Sequence, residues 1–132
     1  MAETRIHTGT RVKLKTVDED ALPEVFVTRL RELAHGDQRI EAIFFFAIQA
    51  EGQEEQLSLA VALKKRVFSP KTEEFLQIVD EIQMLLPEDL AINLYRHGTS
   101  DLLAQYCVHK VEPLYLRSAA WLAKQQSKIA AK

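Results

Sequence analysis

The strongest constraint on how this chain folds is a pair of apolar β-type runs, residues 40–49 and 57–64, joined by the polar connector Ala50-Glu51-Gly52-Gln53-Glu54-Glu55. Two such runs across a short polar link form a hairpin, and an isolated hairpin is marginal in water, so other elements must cover it. With Glu41 and Gln49 placed in water, Ile40, Phe44, Phe46 and Ile48 become the core face of the first arm. Leu57, Leu59, Val61 and Leu63 become that of the second, because a period of two fixes which residues share a face.

The flanking segments have equally clear periods. Residues 11–17 alternate, with Val12 and Leu14 opposite Arg11, Lys13 and Lys15, which predicts a first strand. Leu22, Phe26, Leu30 and Leu33 recur at helical spacing over 22–34, with Pro23 suited to the first turn and His35-Gly36-Asp37 ending the helix. Ser69-Pro70-Lys71-Thr72 opens a second helix, where Glu73 and Glu74 complement the positive end of the dipole, and its apolar stripe runs to Pro87. Residues 90–95 alternate as a fourth strand. Ser100-Asp101 caps a third helix reaching Val111, and Glu112-Pro113 begins a last helix.

The predicted order is β-α-β-β-α-β followed by two helices. It implies an α+β fold, a two-layer sandwich with a ferredoxin-like antiparallel sheet, two helices on one face and two additional C-terminal helices. One domain over 1–132 is expected, with residues 1–9 and about 124–132 flexible. At 132 residues and 47% hydrophobic content the chain can hold a core without metal or disulfide, and its single cysteine excludes a disulfide scaffold. A polar N-terminus and apolar runs far short of about 20 residues predict a cytoplasmic protein without membrane spans.

In a two-layer sandwich the outward side chains of the sheet would be Arg11, Lys13 and Lys15; Ile43, Phe45 and Ala47; Ser58, Ala60, Ala62 and Lys64; and Ala91, Asn93 and Tyr95. Such a face would leave an apolar patch in water unless the C-terminal helices fold over it. An open patch points to a protein partner or a homodimer. Arg11, Lys13, Lys15, Lys64 and Arg66 would form a basic end if the first and third strands were antiparallel neighbours. Yet the third strand has no aromatic residue, the basic-Gly-aromatic run of RNA-recognition modules is absent, and a net charge of −2 shows no global bias, so the pattern argues against nucleic acid.

Candidate chemistry is sparse. Cys107 and His109 lie two apart, pointing about 200° away from each other on a helix, so Cys107 reads as a buried filler. His7, His35 and His97 read as terminal or turn residues outside any metal pattern, and the carboxylates cluster at loops and helix starts. Lys124, Lys128 and Lys132 stack at i, i+4 and i+8 as a solvated helix face. No catalytic residue, cofactor or metal is expected.

One segment is distinctive: residues 106–117, a helix running into Glu112-Pro113-Leu114-Tyr115. It resembles the closing signature of the C-terminal domain of the enhanced serine sensitivity protein SseB family, where a similar Glu-Pro-Phe-Tyr stretch follows a short helix. Leu114 stands where the family usually has Phe, and the chain shows no counterpart of the family's N-terminal domain. The resemblance covers about residues 10–118 and implies a bacterial, non-enzymatic module, marked by Glu112, Pro113 and Tyr115. The readings in view are an interaction or regulatory module using the apolar sheet face, a small-metabolite (amino-acid) sensor, or a secretion chaperone.

Overall fold

The structure, a computed structural model, describes residues 2–7, 10–64, 71–97 and 102–128. Its elements are β1 (Ala2–His7), β2 (Thr10–Thr16), a 3-10 turn (Glu19–Ala21), α1 (Glu24–Gly36), β3 (Ile40–Ala50), β4 (Gln56–Leu63), α2 (Lys71–Leu85), β5 (Asn93–Arg96), α3 (Leu102–Lys110), β6 (Pro113–Leu116) and α4 (Ala119–Lys128). The strands form one mixed sheet in the order β1-β2-β3-β4-β5, and β6 pairs with β3. β3 is the spine. Its C-terminal half pairs with β2, its N-terminal half with β6, and β4 lies antiparallel to it, while β5 joins β4 in parallel. Gly52, at φ 78°, supplies the left-handed residue in the β3–β4 connector.

Both faces of the sheet are covered. Phe26, Leu30, Ile78 and Ile82 of α1 and α2 pack on Ile43, Phe45, Leu59 and Val61. Ala104, Cys107, Val108, Trp121 and Leu122 of α3 and α4 pack on Phe44, Phe46, Ala60 and Ala62. The apolar run from Ala42 to Ile48 has this meaning: a strand buried on both sides needs apolar residues at every position. Each fully buried Phe or Leu in these layers contributes about 1.5–3 kcal/mol.

The α+β class therefore holds, as three layers with the sheet in the middle. The ferredoxin-like order would insert the first predicted strand between its partners, whereas β2 pairs with β3 and not with β4. The sheet is also mixed, because β5 runs parallel to β4. The same sequence of element types serves both arrangements, so periodicity alone does not separate them.

Three local expectations also change. Residues 2–7, expected to be flexible, form an edge strand on β2, and α4 continues to Lys128. Glu112-Pro113 does not start a helix: Pro113 opens β6, where it faces Phe44 on a strand paired on one side only, a position that tolerates a missing N–H. The predicted helix start at Ser69-Pro70 and the cap at Ser100-Asp101 lie outside the described residues. Among the described residues no helix is long and apolar enough to cross a membrane.

Candidate functional site

The signature segment is held by two arginines. Arg117 donates from its guanidinium to the carbonyls of Ile40 (2.9 Å), Ala34 (2.7 Å) and Asp37 (2.8 Å), and from its backbone to Glu41 O (2.9 Å). Ala34 lies in the last turn of α1, where carbonyls lack helical partners and a cation is favoured. The guanidinium also sits 5.8 Å from the Tyr115 ring centre. Arg31 donates to Leu114 O (2.9 Å) and pairs with Glu19 (2.7 Å). Next to them Arg39 binds Asp37 through two parallel bonds of 2.9 and 2.7 Å, and that bonding holds the Asp37 carboxyl below its ordinary value against the opposing effect of burial.

A cleft of about 190 Å³ lies beside this framework, lined by Glu41, Ala62, Leu63, Lys64, His97, Trp121, Lys124, Gln125 and Lys128. Each strand-end residue in it is pinned through its backbone: Glu41 O by Arg117, Lys64 N on Arg39 O (2.7 Å), and His97 N on Val61 O (2.9 Å). α4 supplies the other wall. Trp121, Lys124, Gln125 and Lys128 fall at i, i+3, i+4 and i+7, one helical face, and Ser118 Oγ accepts from Trp121 N at the helix start. The His97 ring lies 5.5 Å from Phe44 and 5.9 Å, edge-on, from Trp121.

The position follows from topology. β4 and β5 are parallel neighbours whose carboxyl ends meet here. After β4 the chain passes to α2, on the face with α1; after β5 it passes to α3, on the opposite face. Where the connections of adjacent parallel strands leave toward opposite faces, a crevice opens at the strand ends, the customary ligand position of such sheets.

The residues expected to form one open sheet face do not do so. Ile43 and Phe45 lie buried under α1 and α2, and Ala60 and Ala62 under α3 and α4. The pairing explains the split: Phe45 opposes Leu59 and Phe44 opposes Ala60, so the two arms are one residue out of the phase that polarity implied. Glu41 misled that reading, since it sits buried at a register shift between Ile40 and Ala42. Tyr95 packs on the second layer beside Phe46, and Asn93 donates to Gln56 (2.6 Å). Lys13 and Lys15 are exposed, Lys15 bonding Glu55 at 3.2 Å; Arg11 stands in β2, and Arg66 lies outside the described residues. Of the expected set only Ala62 and Lys64 line the cleft.

Glu112 and Pro113 line a second hollow of about 270 Å³ with Asp18, Glu19 and Arg31, and Tyr115 packs toward the first layer. His97 is half-buried against aromatic rings, unlike the turn residue expected. Cys107 is fully buried, as expected of a filler. The legible signal for the cleft was the Trp121-Lys124-Gln125-Lys128 face, whose lysines read as plain solvation until β3 and β4 ends were brought against them. Among the described residues no group of three His, Cys, Asp or Glu side chains is placed to hold a metal.

No curated protein and no solved structure matched the chain. The model of the SseB protein C-terminal domain matches residues 6–117, a span that takes in β2 to β6, α1 to α3 and the arginine-clamped signature. By that match over most of its length, the chain belongs to the SseB protein C-terminal domain family.

Proposed function

We propose that this domain is a small-metabolite binding module, a sensor, whose site is the cleft at the carboxyl ends of β4 and β5. The observation that carries this reading is the coincidence of the cleft with the switch in connection direction, lined by lysines, two buried polar side chains and aromatic rings. The interaction reading loses its motive, because the apolar sheet residues are spent on two helical layers.

The test uses the protein's own reporter, since Trp121 is its sole tryptophan and lines the cleft. A metabolite panel screened by thermal shift and Trp emission is expected to give a saturable response that Lys124→Glu abolishes. Stabilising ligands that leave Trp121 emission unchanged and bind Lys124→Glu equally well would refute this site.

A protein-contact role keeps one supporting observation: Val25, Leu76 and Met84 are exposed on the outer layer of α1 and α2. Light scattering that shows a dimer converted to a monomer by Met84→Glu would favour it.

A further inference from the structure

Resting on the reading of the cleft as a ligand site, we infer that its ligand is a small anion, carboxylate or phosphate, that carries a hydroxyl or ammonium group at its other end. Among the described lining residues Lys64 and Lys124 outnumber the one carboxylate, Glu41, even with Lys128 left aside, so this described lining is cationic in a chain whose net charge is −2. Lys64 and Lys124 are exposed and stand at the mouth. Lysine ammonium groups on flexible stems serve as point charges for a carboxylate or phosphate.

The inner lining has the opposite character. Glu41 and Gln125 are only 8% and 7% exposed. Both line the cleft, and Glu41 makes no ion pair with any described residue. A buried carboxylate repels a ligand that is anionic throughout and favours one that offers it a donor. Gln125 adds a carbonyl and an amide, able to meet either end. The volume equals that of about six waters, which suits a ligand of comparable heavy-atom count.

Glu41 is held for this role. Its carbonyl accepts from Arg117 N, and its position at the register shift departs from the strict alternation that turns neighbouring β3 side chains toward the two helical layers. The arrangement is a two-ended filter: lysines select the charge, and the inner carboxylate selects what the charge is attached to.

The experiment compares probes of nearly one size on the full chain, followed by Trp121 emission and by thermal shift. Propionate, lactate and alanine share a carboxylate and differ in carrying no donor, a hydroxyl or an ammonium; methyl phosphate and phosphoethanolamine make the same comparison for phosphate. The expected result is at least a tenfold preference for the donor-bearing members, about 1.4 kcal/mol. Glu41→Gln reduces that preference to less than twofold, and Lys124→Gln weakens every member at least threefold. The head group that binds more tightly names the source of the anion.

Equal affinity with and without the donor in the natural chain overturns the inference, as does a preference that survives in folded Glu41→Gln. Should Glu41→Gln not fold, the donor preference of the natural chain decides alone. Binding without preference refutes only this ligand class, whereas no Trp121 response to any probe or panel metabolite refutes the site itself.

Discussion

Replacing Arg117 is the sharpest test of how the signature segment supports the fold. Its guanidinium satisfies three carbonyls, Ile40 at 2.9 Å, Ala34 at 2.7 Å and Asp37 at 2.8 Å. Hydrogen bonds from a charged donor are worth about 1.5–3 kcal/mol each, and a cation at a helix C-terminus adds about 0.3–1 kcal/mol. Arg117 is only half-buried, so water recovers part of this when the side chain is removed. A loss of about 3 kcal/mol is expected for Arg117→Met, which keeps most of the volume. For a domain of 132 residues this lowers Tm by about 10 °C, at about 3–4 °C per kcal/mol. Arg117→Lys restores less than half, because one ammonium does not span three carbonyls that a planar fork reaches together. Differential scanning calorimetry with urea titration measures both. A Tm change under 3 °C for Arg117→Met, or full rescue by Lys, would refute the clamp.

The Asp37–Arg39 pair predicts a pH dependence. The folded-state pKa of Asp37 is depressed, so its stabilisation is present above the unfolded value of 3.8 and is lost as pH falls through the lower folded value. Asp37→Asn is therefore expected to be less stable than the natural chain at pH 7 by about 1–3 kcal/mol, with the gap narrowing as pH falls below 3.8; a gap that stays constant across that acid titration would contradict the assignment. Coverage of both sheet faces predicts that Phe45→Ser costs about 3–5 kcal/mol in urea unfolding, where an open face would tolerate it within about 1 kcal/mol.

Much of the element inventory was legible because it depends on local chemistry. The alternation of Arg11 to Lys15, the helical spacing of Phe26 and Leu30, and the apolar stripe ending at Pro87 each locate an element within a few residues of its place. β6 was not legible, since Pro113 after Glu112 suits a helix start as well as an edge strand, and only pairing with β3 chooses. β1 was missed for a related reason: Glu3, Thr4 and Arg5 show no apolar period, and the strand exists through its ladder with β2.

The amino-acid sequence by itself determined α1, α2 and the strands β2 to β5 to within a few residues, the family signature, and the absence of any familiar catalytic spacing, but not β1 or β6. Tertiary structure decided the strand order, the phase between β3 and β4, and the covering of both faces. The physical reason is that a strand apolar at every position, as from Ala42 to Ile48, satisfies either phase equally until helices arrive on both sides. The cleft belongs to the same category. Glu41, Lys64, His97 and Lys124 are distant in sequence and individually ordinary, and they become neighbours only where two parallel strands send their connections to opposite faces of the sheet.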